Sequence, residues 1–241
     1  MLQEWHLIHF SKCNGYANMA IDEALYESFV EQYPSSLGGM LRFYEFLMPS
    51  VTIGRYQKMK DFPTGTFGEG YEIVRRITGG GLVDHRASLT FALITHQANH
   101  ATFKTAELFY KTLHAAIFRA FLGCGIRLMM QSCRATAGDG FEQCFKKPVR
   151  YDLLFEGEKI VGGAQKRSRG FILHQASIFF GVAGWQKRPY LQELTRNMII
   201  KEIEDTFDIT FEPRSMTADE TQAAIKLEHT KYRAQAWRDR F

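Results

Sequence analysis

Apolar residues along this chain follow two periods, and the switches between them mark its elements. Residues 5–10 read as a strand. Ile21, Ala24, Leu25 and Phe29 then stand at i, i+3, i+4 and i+8, one face of a helix, so the run Met19-Ala20-Ile21-Asp22-Glu23 is expected to serve packing. The stretch 34–39 breaks the chain, and strands are predicted at about 41–47, 51–54, 71–77 and 89–95. Pro63, Gly65, Gly68 and Gly70 make 58–70 a loop. Ala106, Phe109, Tyr110, Leu113, Ile117, Ala120 and Phe121 form a second helical face, ended by Gly123 and Gly125. A short strand at 126–130 precedes the polar loop 131–140. Strands at 149–155 and from Lys159 onward enclose a hairpin turn at Glu156-Gly157-Glu158, and a long strand follows at 171–180. Two helices close the chain. The second opens on a capping box, Thr217 to Glu220, and runs to Trp237. No repeat, linker or compositional break appears, so 1–241 is expected to form a single α+β domain, a mixed β-sheet flanked by helices.

Composition narrows the function classes. The chain has 241 residues, 45% of them hydrophobic and 23% charged, ordinary values for a globular domain with one core. Its 20 phenylalanines suit aromatic walls around an apolar pocket and suit a plain core equally. No apolar run reaches the roughly 18 residues needed to span a membrane, and the start Met1-Leu2-Gln3-Glu4-Trp5-His6 lacks the pattern of a signal peptide. A cytoplasmic protein is expected. Cys13, Cys124, Cys133 and Cys144 form no close pair and match no histidine spacing, which argues against a metal site and against disulfides. A net charge of +4 is too small and dispersed for nucleic acid, but a local positive face can attract an acidic carrier protein.

The most informative segment is Arg75-Arg76-Ile77-Thr78-Gly79-Gly80-Gly81-Leu82-Val83-Asp84-His85. Three glycines inside an apolar run cost roughly 1 kcal/mol each relative to alanine in a regular element, so the chain bends there or something fits against it. Backbone N–H groups in such a turn can approach a ligand closely, with an arginine beside them. A turn between two buried strands explains the glycines equally well. In a strand Arg75 and Arg76 face opposite ways, so at most one lines a pocket and the other is a surface or helix-contacting side chain. His85 is placed to face a ligand or to serve the backbone.

A second unusual segment, Gly157-Glu158-Lys159-Ile160-Val161-Gly162-Gly163-Ala164-Gln165, puts small residues at 162, 163 and 164 on the return strand of the hairpin. Lys159, if buried, must be paired or must meet a charge on a ligand. Cys144 stands in Gln143-Cys144-Phe145-Lys146-Lys147-Pro148, among lysines that lower a thiol pKa and make it a nucleophile; a loop cysteine with no chemistry is the alternative. In His174-Gln175-Ala176-Ser177, alternation sets His174 and Ala176 on one face and Gln175 and Ser177 on the other.

These residues resemble the lipoate/octanoate transfer family, which shares a catalytic domain with the biotin-protein ligases. The resemblance covers nearly the whole chain. It rests on Asn18-Met19-Ala20-Ile21-Asp22-Glu23-Ala24-Leu25, Leu41-Arg42-Phe43-Tyr44, Ile53-Gly54-Arg55-Tyr56-Gln57, the Arg-Arg-Ile-Thr-Gly-Gly-Gly segment and Gly-Glu-Lys-Ile-Val-Gly-Gly-Ala-Gln-Lys-Arg, in that order. It implies a biotin/lipoate ligase-like fold and Lys159 beside the reactive carbonyl of an acyl group. Arg75, Arg76, Thr78, Gly79, Gly80, Gly81, His85, Gly162, Gly163 and Ala164 are its implied substrate-binding residues, and His174 and Ser177 its supporting ones. The two glycine segments are expected to lie side by side along a narrow apolar tunnel for an unbranched acyl chain. Alanine at Lys159 is expected to abolish transfer and leave the fold intact.

The resemblance leaves several reactions open. A transferase takes octanoyl from an acyl carrier protein onto its own cysteine, here Cys144, and passes it to a lysine of a lipoyl carrier domain without a cofactor. The acceptor is a glycine cleavage H protein or a 2-oxoacid dehydrogenase E2. A ligase instead activates free lipoate with ATP and Mg. Cys144-Phe145, Pro148, Tyr151-Asp152-Leu153 and the run from Leu227 through Lys231-Tyr232 to Trp237 resemble the cysteine-dependent octanoyltransferases. Gly81 is ligase-like, since those transferases often carry arginine there, and Arg86 replaces a frequent acidic residue. A lipoyl amidotransferase between carrier proteins also uses a cysteine near this place. A biotin ligase is disfavoured, because Arg167-Ser168-Arg169-Gly170 substitutes poorly for its signature. A non-catalytic carrier-binding module is disfavoured by the presence of both Cys144 and Lys159.

Overall fold

A computed structural model describes residues 4–32, 37–62, 69–132, 148–182, 184–185, 188 and 190–241. Eleven strands and five α-helices are defined among them. Eight strands form one mixed sheet in the order β11-β1-β2-β6-β10-β9-β8-β7, and three form a small second sheet, β4-β3-β5. In the large sheet, β1 (Glu4–Cys13) runs parallel to both β2 (Leu37–Phe46) and β11 (Phe211–Arg214). The pairs β2 with β6 (Ser88–His96), β6 with β10 (Phe171–Phe179) and β10 with β9 (Glu158–Ser168) are antiparallel. In the small sheet, β3 (Ser50–Ile53) lies between β4 (Glu72–Arg75), parallel, and β5 (Val83–Asp84), antiparallel.

The large sheet is buried on both faces, which explains why β2, β6 and β10 read as almost continuous apolar runs. On one face Phe43, Phe91 and Ile172 pack with Phe109 and Leu113 of α2 (Ala106–Gly123) and with Ile199 and Ile203 of α3 (Leu191–Phe207). On the other, Met40, Ile94 and Leu173 pack with Met19, Leu25 and Phe29 of α1 (Gly15–Gln32). Each such side chain contributes about 1.5–3 kcal/mol when fully buried. Helix α4 (Ala218–Leu227) opens on the predicted capping box, with the Thr217 hydroxyl accepting from Glu220 N–H and the Glu220 carboxylate accepting from Thr217 N–H.

Several boundaries differ from the sequence reading. The strand expected at 149–155 is confined to β8 (Leu153–Phe155), because Tyr151 has φ +73° and Asp152 turns its carboxylate back onto Val149 N–H at 2.7 Å. The strand expected at 126–130 is only β7 (Met129–Met130). Strand β11 had no sequence signal of its own, as a four-residue edge piece with Pro213 in it. The last helix does not run unbroken to Trp237. It passes into a π turn at Glu228–Tyr232 and restarts as α5 (Gln235–Arg238). The β8–β9 hairpin turns on Glu156 (φ 50°) and Gly157 (φ 85°), the left-handed pair that a two-residue hairpin requires.

Candidate functional site

The two glycine-bearing segments meet at one cavity, between the small sheet and the β6–β10–β9 face of the large one. Arg76, Gly80 and His85 wall it on one side, and Lys159, Gly162, Gly163 and Ala164 wall it on the other. Arg75, Thr78, Gly79 and Gly81 are not among the residues that line it. The lining is less apolar than a plain acyl tunnel, since Tyr44, Thr52, Thr90, Gln175 and Ser177 also face in.

Lys159 is nearly buried, and its ammonium lies 2.7 Å from the carboxylate of Asp152, which is fully buried. Asp152 also receives the hydroxyl of Tyr110 from α2 at 2.5 Å, and that hydroxyl accepts the N–H of Gly163 at 3.0 Å. Thus a helix on the far side of the sheet fixes both the lysine's counter-ion and one glycine of the cavity wall. The glycine at 162 leaves room for the lysine to lie where it does, and any side chain there would make the lysine's end shift. A Cβ there would fall 2.3 Å from Lys159 Cε and 2.6 Å from Nζ. The lysine therefore occupies the space that a side chain at 162 would take.

The two arginines divide as strand geometry demands. Arg76 lines the cavity, but its guanidinium also holds the glycine turn from inside, donating to the carbonyls of Gly79 (2.7 Å), Gly81 (2.6 Å) and Thr52 (3.1 Å). Arg75 is not a surface residue. It is completely buried and donates to the carbonyls of Gly54, Arg55 and Gln57 and, from the chain's last helix, of Trp237 and Arg238. Its contact with α5 is the helix contact that alternation allowed. Gly54 is packed against the glycine turn so closely that a Cβ would lie 1.8 Å from the Gly80 carbonyl oxygen, while Gly80 itself has φ +82°.

His85 stacks on Phe46 at 3.9 Å, and its Nε2 lies 2.8 Å from the Thr52 hydroxyl. Burial first, and the Arg76 charge second, push its pKa well below the ordinary range, so it is neutral near pH 7. Behind the cavity a buried polar chain ties the sheet to α1. The Thr78 hydroxyl donates to Gln175 Oε1 at 2.7 Å, and Gln175 Nε2 donates to Asp22 at 2.7 Å. Asp22 also takes Arg42 and the Tyr44 hydroxyl, each at 2.7 Å. The α1 motif is thus more than packing: Asp22 orients a cavity residue and Met19 lines the wall.

His174 lies on the opposite face of β10, among Phe91, Phe109, Tyr110 and His114, away from the cavity. The proposed nucleophile Cys144, with Lys146 and Lys147, lies outside the described residues. Asp152 and Tyr110 were missed as site residues. A carboxylate directly before the apolar pair Leu153-Leu154 was the available signal for Asp152, whereas nothing in its helix distinguishes Tyr110. No group of three or more potential metal-ligating side chains occurs among the described residues, nor is any helix there long and apolar enough to cross a membrane.

Likenesses to known proteins bear on this arrangement. An octanoyltransferase LipM of Staphylococcus epidermidis is 28% identical, aligned over 98% of this chain and 99% of its own. One from Geobacillus kaustophilus is 29% identical over 97% of each. A crystal structure of lipoate-protein ligase A bound with ATP superposes with a TM-score of 0.79 over 98% of each chain at 22% identity, which bears on the fold alone. A bi-partite lipoate protein ligase from Thermoplasma acidophilum gives 0.72 at 21% identity, over 99% of this chain and 96% of that one. Residues 14–220, most of the chain that builds this cavity, match the lipoyl protein ligase A/B catalytic domain, and this chain belongs to that family.

Proposed function

We propose that this protein moves an octanoyl group from the thioester of an acyl carrier protein, through Cys144, onto a lysine of a lipoyl carrier domain. The observation that carries the reading is Lys159, a lysine nearly buried at a cavity wall and held there on Asp152. A buried cation fixed beside a space for an acyl group suits a developing oxyanion, and one such donor is worth about 3–4 kcal/mol of barrier. The near full-length likeness to proteins named octanoyltransferase supports the choice of acyl group.

In the first step the Cys144 thiolate adds to the thioester carbon, the carbonyl π pair moves onto oxygen beside Lys159, and the carrier thiolate leaves. In the second, the neutral amine of the acceptor lysine attacks the Cys144 thioester. The cysteine leaves as thiolate and the amine's proton passes to solvent. No cofactor enters either step. The acceptor is a glycine cleavage H protein or an E2 lipoyl domain, and the reaction belongs in the cytoplasm.

A second reading, ATP-dependent ligation of lipoate with Mg, is favoured by Gly81 at the third position of the glycine run. The test separates the two. Octanoyl-carrier should leave the wild-type protein one octanoyl group heavier by intact mass, labile to hydroxylamine, and Cys144→Ala should stay unmodified. If Cys144→Ala lipoylates a carrier domain at full rate with ATP and free lipoate, the protein is a ligase.

A further inference from the structure

Ser177 is the cavity residue that nothing so far uses. Its hydroxyl oxygen is buried and has no hydrogen-bond partner among the described residues. The other polar side chains of the wall are all engaged: Tyr44 on Asp22, Gln175 between Thr78 and Asp22, Thr52 and Thr90 on His85. A buried hydroxyl is seldom left without a partner, because losing its water costs free energy that only a new hydrogen bond returns. An alkyl chain cannot supply that bond. An oxygen atom can.

The β9–β10 register shows where such an atom would sit. Ser177 stands directly opposite Gly162 in the antiparallel pair. Side chains of directly opposed residues project from the same face, with Cβ atoms about 4.5–5.5 Å apart. Residue 162 has no side chain, and the Lys159 ammonium fills its place, 2.6 Å from where its Cβ would be. The hydroxyl of Ser177 and the ammonium of Lys159 thus enter the cavity as neighbours on one face. They are not bonded to each other, since the hydroxyl has no partner among the described residues. A single oxygen between them can meet both.

We propose that Ser177 is a catalytic residue that donates its hydroxyl proton in a hydrogen bond to the carbonyl oxygen of the bound acyl group, opposite Lys159. When the nucleophile adds its electron pair to the carbonyl carbon, the π pair collects on that oxygen and both donors hold it. When the tetrahedral species collapses, the pair returns to C=O and the leaving group departs with the electrons of its bond to carbon, as a thiolate from a thioester or as AMP from an acyl-adenylate. The serine proton stays on Ser177 throughout, so the residue is neither acid nor nucleophile. The inference rests on the acyl-transfer reading but not on which acyl donor is used.

The test is Ser177→Ala, assayed with octanoyl-carrier and an acceptor domain beside wild type and Lys159→Ala, with thermal unfolding of each. Loss of one oxyanion donor should lower kcat by about 100-fold with KM within about twofold. The thermal midpoint should hold or rise, because the substitution removes a buried hydroxyl that has no partner among the described residues. That combination separates chemistry from structure. Wild-type kcat in Ser177→Ala overturns the inference, as does a fall in rate that only tracks loss of folded protein. Full activity in Lys159→Ala would instead sink the acyl-transfer site reading itself. A wild-type protein that requires ATP would sink the octanoyltransferase reading alone. The same substitution, measured on carrier acylation from the acyl-adenylate, then gives the same two outcomes.

Discussion

Lys159 and Asp152 form a buried ion pair at 2.7 Å, contributed by β9 and by the residue that directly precedes β8, one on each side of a hairpin. Residues seven apart in sequence are brought together because β8 and β9 pair antiparallel around a two-residue turn. The pair gives the lysine a structural role beside the oxyanion-donor role proposed for it. Alanine at 159 should therefore do more than the sequence suggested. It should abolish transfer and also cost about 3–5 kcal/mol of stability, by leaving the Asp152 carboxylate buried without its cation. Lys159→Ala with Asp152→Asn should recover part of that stability and none of the activity. Urea unfolding of the single and double variants measures this, and additive losses would show that the two residues do not interact.

Gly54 and Gly79 should respond to alanine in opposite ways. At 54 the new methyl would lie 1.8 Å from the Gly80 carbonyl oxygen, backbone that cannot step aside, whereas at 79 nothing stands within 4 Å. Gly54→Ala should lose more than about 2 kcal/mol by overpacking, and Gly79→Ala well under 1. Denaturation midpoints of the two variants decide it. Equal effects would mean that the glycine turn does not seat against residue 54.

Stability should fall steeply in mild acid. His85, His114 and His174 are buried, and burial lowers all three pKa values, that of His114 to about 3. The unfolded chain takes up protons on them near pH 6.5 while the folded one does not. Their contribution is intact above that pH and is lost as pH drops, by about 1.4 kcal/mol per unit for each fully refused proton. His174→Phe should flatten this slope by about one proton. It should also be less destabilising, or more stabilising, at pH 5.5 than at 7.5. A wild-type stability that is flat from pH 7.5 to 5.5 would contradict the burial of these rings.

Arg75→Lys should detach the end of the chain. One guanidinium donates to carbonyls of both the Gly54–Gln57 segment and α5, a fork that a single ammonium cannot reproduce. Amide exchange around Trp237 should quicken in this variant while the β6 and β10 amides stay protected. Unchanged exchange at Trp237 would show that the apolar packing of Trp237 and Tyr232 holds the helix without it.

The long elements were legible because burial leaves a periodic trace. Helix α2 followed from Phe109, Leu113, Ile117 and Phe121, and the hairpin from Glu156-Gly157, where the backbone demands left-handed conformations. Local rules carried α4 as well, since a capping box involves only four consecutive residues. The boundaries at 149–152 escaped because Asp152 trades strand pairing for a turn that aims its carboxylate at Lys159.

The sequence by itself determined the family, the α+β class and the two glycine segments, since these depend on residue types in order and on local backbone preference. It also required that Arg75 and Arg76 part ways, because a strand alternates. Which arginine reaches the cavity, that Tyr110 on a distant helix steadies the lysine's counter-ion, and that Ser177 shares a face with Lys159 were decided only by tertiary structure. Those relations are set by the register of β9 against β10 and by which helix covers which face of the sheet. Register is a property of two segments at once, fixed by the packing of everything around them, and no single stretch of chain contains it.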